Sequence, residues 1–526
     1  MSKFIAFPYQ HELLQQQIAE HAHNDTNVST IQNKAQDDYL SGYLAAMDAR
    51  TFVVETQYVD RDYLEEHAAY YVRCFRDYKR FCSRIHFFSA LLTQEQVDSA
   101  ANGTCNSDFC ELLADRYLGF VVIKPLPQKF IGRTCLKTYP PNSEDYVRYY
   151  PALVDYKAHL AGLTLPVRSL AFQEQDHGVA ACATSALWSA FQITGRTFQH
   201  AIPSPAAITQ AAVSGGKTAR VFPSDGLTIQ EICQACRAMG LDAEVFSFPA
   251  QPAAEFKSVV HAYLAGGLPV VLVVQLLNLP GAGEQDGPAL HAVTLSGYSM
   301  GPELDGCWRA SRMNKVYAHD DQIGPFARMG ITSATVRAVG DSEPTLRTVL
   351  TTSWIDESGG RGGVENVIAV PLYAVVPVYH KIRVSARQLL KDVAWLDFLC
   401  GKLSESVPLP IPVPSNWGVE LTTITELKAR WRQDELLLPQ EKARLLPKFL
   451  PRFTWVITAR DVDDIPLFDI LVDATDTSDG ACVADVVVRD AATLDQTTGM
   501  AHVLTEIPNV PINHLIACLA ERAAET

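Results

Sequence analysis

A glutamine, a cysteine, a histidine and an aspartate follow one another in an order that suits nucleophilic attack on a carbonyl. The first piece is Gln173-Glu-Gln175-Asp-His-Gly-Val-Ala-Ala-Cys182-Ala-Thr-Ser-Ala-Leu-Trp188. The second is Leu290-His291-Ala-Val-Thr-Leu-Ser-Gly-Tyr298, and the third is Val316-Tyr-Ala-His-Asp320-Asp321-Gln-Ile-Gly-Pro325. A cysteine in the first turn of a helix meets unpaired N–H groups and the positive end of the helix dipole, both of which favour the thiolate, the form that attacks. A histidine beside it stabilises that ion and later serves as the acid. A carboxylate or amide beyond the histidine fixes its tautomer. A glutamine a few residues before the cysteine can donate to the oxyanion alongside the cysteine's own N–H.

These side chains need elements to hold them. The pattern predicts a helix that begins near Ala181 and runs through Trp188 to Ile193. Leu227 to Met239 reads as an amphipathic helix stopped by Gly240, with a strand from Asp242 to Phe248 after it. Phe256 to Leu264 is another helix, stopped by Gly266-Gly267, and Leu268 to Leu277 is a buried, Val-rich strand. A Gly/Pro loop from Pro280 to Pro288 leads to two further strands, His291 to Tyr298 and Lys315 to His319.

The order and element types resemble the papain-like cysteine peptidase superfamily, and within it the peptidases that cut double-glycine leaders of bacteriocins, and phytochelatin synthase. Gly226-Leu-Thr…Met239-Gly240-Leu241 is similar to their middle helix and following strand, and Leu264-Ala-Gly-Gly-Leu-Pro-Val-Val to the strand before the histidine. The resemblance spans residues 165–330, about a third of the chain. It implies Cys182 as nucleophile, His291 as base and Asp320 as the orienting acid, with Asp321 as the alternative. It implies Gln175 as oxyanion donor, with Gln173 as the runner-up. Two departures stand out: the Gln175–Cys182 spacing is one residue longer than usual, and Ala181 and Ala183 flank the cysteine where these families commonly place Asp or Gly. The implied activity is cleavage of a peptide or amide bond through a thioester. Acyl or peptidyl transfer by the same triad, or a non-catalytic binding or regulatory protein that keeps the fold, are the alternatives.

The flanks carry weaker signals. An aromatic series, Tyr63, His67, Tyr70, Tyr71, Phe75, Tyr78 and Phe81, recurs at helical spacing and predicts one or two buried helices. Gly119-Phe-Val-Val-Ile-Lys-Pro reads as a strand with Ile131 to Tyr139 as its neighbour. Beyond Gly340, strands are expected at Ala374–Tyr379, Lys381–Val384, Phe453–Ala459, Phe468–Val472 and Ala484–Val488, with helices at Gln388–Leu403 and Ile512–Ala523. The expected class is α+β in three parts: a mostly helical region with a short strand pair over residues 1–160, a papain-like domain over 161–345, and a mixed α/β domain over 346–526.

At 526 residues with 48% hydrophobic content, the chain has ample core material. Its net charge of −15 disfavours a nucleic-acid or anionic-membrane partner. The expected partners are a peptide or protein substrate and a regulatory protein docked on the flanks. No apolar run reaches ~18 residues, no signal peptide is visible, and the 12 cysteines have no repeated spacing, so a reducing cytoplasm is expected. No cofactor or metal is expected. Ser214-Gly-Gly-Lys217-Thr218 lacks the first glycine of a phosphate loop, since position 211 is Ala211. Cys233 and Cys236 share a helix face without a second pair, Cys105 and Cys110 lack histidines at ligand spacing, and Asp473, Asp476 and Asp479 lack the closing Glu of a calcium loop. His177 reads as a solvated loop residue near the site.

Overall fold

The computed structural model describes residues 3–141, 146–176, 178–179, 181–214, 221–222, 226–249, 253–278, 289–302, 304–352, 367–406, 413–477, 481–489 and 512–513. His177, residues 215–218 of the glycine-lysine segment, the loop 280–288, the glycine run 359–363, Asp479 and residues 514–523 lie outside them. Helices and strands are both abundant, and the class is α+β. The chain divides into two compact units. Unit 1 comprises Met1–Pro249, Pro269–Gly297 and Lys315–Pro377, and unit 2 comprises Ala250–Leu268, Tyr298–Asn314 and Val378–Thr526. The boundaries expected at residues 160 and 345 therefore both fall inside unit 1.

Unit 1 starts with a five-stranded antiparallel sheet: β1 (Phe4–Pro8), β2 (Thr51–Tyr58), β3 (Cys82–Phe88), β4 (Tyr117–Ile123) and β5 (Ile131–Leu136), in that order. This corrects the mostly helical reading of residues 1–160. The helices are there, among them His11–His21, Ala35–Ala46 and Gln94–Ala101, but the sheet is the centre. β3, Cys-Ser-Arg-Ile-His-Phe-Phe, is buried throughout, and its Arg84-Ile85-His86-Phe87 alternates polar and apolar residues as a strand does. Its charged Arg84 is satisfied by Glu55, with Nε donating at 2.9 Å. The aromatic series that precedes β3 at helical spacing outweighs that short signal in the sequence. The series is itself split between the helix Arg61–Ala69, a single 3-10 turn Tyr71–Arg73 and the approach to β3, and Phe75 is fully exposed.

A short strand β6 (Val147–Tyr149) and the hairpin β7 (Val154–Leu160) and β8 (Leu163–Ser169) lead to the long helix Cys182–Thr197. The helix Ile229–Ala238 follows, started by a Thr228–Glu231 capping box, and then β9 (Leu241–Ser247). Six strands then close on themselves: β10 (Val270–Asn278), β11 (Ala289–Met300), β12 (Met313–Asp320), β13 (Gly324–Val336), β14 (Thr345–Thr351) and β15 (Val367–Tyr379), which pairs back onto β10. β9 pairs with β15 and β6 with β11, so the six closed strands belong to an eight-stranded sheet. The Val-rich β10 is central to it, bonded to β11 on one side and β15 on the other, which explains its continuous apolar run. The helix Cys182–Thr197 lies on this barrel, where Thr294 Oγ1 of β11 donates to the carbonyl of Ala186 at 2.6 Å. Trp188 is fully buried beneath it, its indole N–H donating to Asp62 at 3.0 Å.

Unit 2 holds the helices Ala253–Leu264 and Ala386–Ser406 and a second five-stranded sheet: β16 (Asn416–Thr423), β17 (Phe453–Arg460), β18 (Pro466–Asp473), β19 (Ala481–Val488) and the two-residue β20 (Ile512–Asn513). The first of those helices ends against β16 so closely that a Cβ on Gly266 would sit 1.6 Å from the Leu421 carbonyl oxygen. One expectation fails here: Lys381–Val384 is a turn rather than a strand. Of the expected terminal helix only Ile512–Asn513 is described, and it pairs in parallel with β19. No helix among the described residues is long and apolar enough to cross a membrane.

Candidate active site

Cys182 is the first residue of its 16-residue helix, and the residue before it, Ala181, offers no capping side chain. The first-turn N–H groups are thus left to whatever lies at Cys182. Ala181 is extended, with φ −84° and ψ 173°, so the chain turns into the helix at the cysteine itself.

His291 projects from β11, opposite Val274 of β10, and is buried. It hydrogen-bonds the Cys182 side chain. Its Nε2 is 3.0 Å from Oδ1 of Asp320, at the end of the neighbouring strand β12, and 3.7 Å from Oδ1 of Asp321. Burial alone would push the imidazole down, but the Asp320 carboxylate and its hydrogen bond, with Cys182 and Asp321 adding, outweigh it and hold His291 well above its ordinary range. Asp320 Oδ1 also accepts from the Gln322 N–H at 2.9 Å, which fixes the carboxylate. Asp321 is buried beside it with neither carboxylate oxygen hydrogen-bonded. Burial raises Asp321 to about 6, with His291 opposing and Asp320 adding. Between the two acids, Asp320 is the one in hydrogen-bond contact with the imidazole.

Gln175, half-buried, lines the same cavity as Cys182 and His291. Gln173 does not line it and is buried, with Nε2 unpartnered. The geometry therefore separates the two glutamines. The cavity, about 750 Å³, has Lys129 and Glu231 at its margin and an apolar wall that includes Ile232, Val273, Leu372 and Tyr373. That volume lies within the ~300–1,000 Å³ range of sites for small organic groups.

Several residues that hold the site gave no signal in the sequence. Asp176 Oδ1 accepts from the N–H groups of Gly178 and Val179, bending the segment between Gln175 and Cys182 into an Asx turn. Tyr71 hydrogen-bonds the same carboxylate. Gly178 is pressed against the ring of Tyr70, where a Cβ would come within 2.6 Å. Glu174 is fully buried, accepts from the Ile131 N–H at 3.2 Å and is ion-paired to Lys34. Gln36 donates to the Asp321 carbonyl at 2.8 Å, so the N-terminal segment braces both ends of the site. Apart from the Asx turn at Asp176, these contacts are distant in sequence; Gln36 and Asp321 are 285 residues apart.

His319, next to Asp320, has another task. Its Nδ1 accepts from the Phe326 N–H at 3.1 Å, so its Nε2–H donates to the Leu170 carbonyl at 2.9 Å. Burial pushes it down to about 4. It joins β12 to β13 and to the segment after β8, and does not titrate near neutrality.

His291, Asp320 and Asp321 also form a group whose ligand atoms lie within 4.8 Å of one another, a spacing a divalent cation can bridge. The cysteines among the described residues form no disulfide with one another.

No family model matches the chain, and no curated protein matches it. Among solved structures, a structure of EndoMS in apo form is similar at 10% identity over 53% of this chain and 95% of that one, with a TM-score of 0.12. A score that low carries no argument about fold or activity.

Proposed function

We propose that the chain is a cysteine peptidase or amidase in which Cys182, His291 and Asp320 act as nucleophile, acid–base and orienter in a papain-like arrangement. The observation that carries this reading is the chain of contacts from the Cys182 side chain to His291 and on to the Asp320 carboxylate, with the cysteine at a helix N-terminus. His291 takes the thiol proton, and the Cys182 sulfur attacks the carbonyl carbon. The Gln175 amide and the Cys182 N–H receive the oxyanion. As the C–N bond breaks, His291 gives its proton to the leaving amine, and the acyl group stays on sulfur as a thioester. His291 then takes a proton from water, the hydroxide oxygen attacks the thioester, and the acid leaves as the thiol is restored. Asp320 keeps the imidazole aligned and favours its cationic form. An amine in place of water would give transfer from the same intermediate.

The test is a peptide-library digest with wild type, Cys182→Ala and His291→Ala. Cleavage in the wild type alone, with a Cys182-linked acyl species seen by mass spectrometry after acid quench, is the expected result. Equal cleavage by all three, or an acyl species on another residue, would overturn the proposal.

A further inference from the structure

Unit 2 contains a second cavity, about 220 Å³, walled by one face of the sheet and one face of a helix. Gly418, Thr458 and Asp469 form a single cross-strand row on β16, β17 and β18. Above them lies the helix Ile424–Gln433, whose Leu427, Arg430 and Trp431 fall at the i, i+3 and i+4 spacing of one helical face. Arg309, Arg460, Arg489, His261, Glu420 and Asp434 also line it, with Asp434 Oδ2 3.2 Å from Arg489 Nη1.

What marks this cavity is the set of polar atoms left over after the ion pairs are made. Arg309 donates to Asp464 at 3.0 Å, Arg489 to Asp469 at 2.8 Å, and Arg430 pairs with Glu420. Yet Nε of Arg460 and Nε of Arg489 have no hydrogen-bond acceptor, and Oδ1 of Asp469 has no donor. His261 is buried, 4% exposed, and bonds the Val419 backbone, while its Nε2 has no partner. Burial, then the nearby Arg309, push its imidazole down to about 3, so it is neutral at pH 7 and presents a lone pair. Asp464 is shared by Arg309, Arg312 and Arg460, three cations on one carboxylate. Side chains with unmet donors and side chains with unmet acceptors thus line the same small space, a costly arrangement unless something supplies both.

We infer that this cavity binds a small zwitterion of the α-amino-acid class, its carboxylate against the free guanidinium N–H groups of Arg460 and Arg489 and its ammonium against Asp469 and His261. The volume falls below the ~300–1,000 Å³ of sites for drug-sized ligands, which limits the occupant to a small molecule. A simple anion would satisfy the arginines but leave Asp469 Oδ1 and His261 Nε2 unmet. The side chain of the bound amino acid would lie on Trp431 and Leu427. The inference does not depend on the Cys182 chemistry.

The test uses the full chain carrying Cys182→Ala, titrated calorimetrically with the free amino acids. The best ligand is then compared with its N-acetyl form, which lacks the ammonium, and its decarboxylated amine. Two variants accompany it: Arg460→Met removes one donor, and Gly418→Val fills the floor without touching a charge. At Gly418 an added Cβ meets Arg309 Cδ at 3.9 Å and Thr458 Cβ at 4.0 Å, ordinary contact distances, so that variant is expected to fold. The expected result is saturable binding of at least one amino acid, weakened about tenfold or more by each truncated ligand and by each variant. Binding by none of the amino acids, equal binding of the parent and both truncated forms, or binding that Gly418→Val and Arg460→Met leave unchanged would overturn it. Inorganic phosphate is included as a control, and binding of phosphate alone would replace the zwitterion with a plain anion and contradict the proposal.

Discussion

Each unit buries a histidine at the wall of a cavity, and the two behave oppositely. His291 in unit 1 touches a carboxylate and is held above its ordinary range; His261 in unit 2 faces arginines and is pushed down to about 3. Burial disfavours the cation in both. The difference is the partner 3.0 Å away: Asp320 Oδ1 stands at His291 Nε2, whereas nothing bonds His261 Nε2. His319 makes the same point within unit 1, since it is as buried as His291 but bonded only to backbone, and it is pushed down to about 4. A buried imidazole becomes a proton carrier at neutral pH only where a carboxylate offsets its desolvation.

That contrast can be broken by substitution. Cys182→Ala is expected to lower kcat by at least about a thousandfold, measured on any peptide the wild type cleaves, because its sulfur is the attacking atom of the proposed mechanism. Asp320→Asn keeps the shape and removes the charge; the expected loss is roughly 10²–10⁴-fold in kcat. The sign of its pH effect follows from the raised His291. Asp320 extends the imidazolium form to higher pH, so without it the alkaline limb of the kcat/KM profile moves down. An unmoved limb would mean that another group sets it.

Gln175→Ala is expected to cost about 10²–10³-fold in kcat with little change in KM, and Gln173→Ala far less, since only Gln175 reaches the cavity. Equal losses would reverse the choice between them. The smallest effect on activity is expected at Asp321. Its carboxyl rises from 3.8 to about 6 in the fold, so between those values the folded chain keeps a proton that the unfolded chain has released. The resulting penalty is absent below pH ~4 and complete above pH ~6, worth up to about 3 kcal/mol. Asp321→Asn is therefore expected to raise stability in urea melts at pH 8 and to leave it nearly unchanged at pH 4. Destabilisation at pH 8 would show that Asp321 contributes more by attracting His291 than it costs by being buried.

The elements around the site were legible because each has a local cause. The helix at Cys182 follows from an Ala-rich apolar stretch, the helix at Ile229 from its Thr228–Glu231 capping box, and β10 from a Val run between Gly267 and Asn278. The order of Cys182, His291 and Asp320 was legible for the same reason. The brace was not. Gln36, Glu174 and Asp176 are ordinary polar residues, and only the fold brings them to Asp321, Ile131 and Tyr71, which are 285, 43 and about a hundred residues away. The N-terminal sheet was hidden by the aromatic series that runs at helical spacing up to Phe81, next to β3, although Arg84-Ile85-His86-Phe87 alternates as a strand does. The arginines of unit 2 carry no motif in the sequence, and β16, β17 and the helix over them bring them to one space.

The most direct measurement is the rate of iodoacetamide labelling at Cys182 as a function of pH, read by mass spectrometry in wild type, His291→Ala and Asp320→Asn. Selective labelling at pH 6 in the wild type, lost in His291→Ala and shifted in Asp320→Asn, is the expected result. Labelling that rises only near the ~8.5 of a free thiol in all three proteins would contradict a histidine-paired nucleophile.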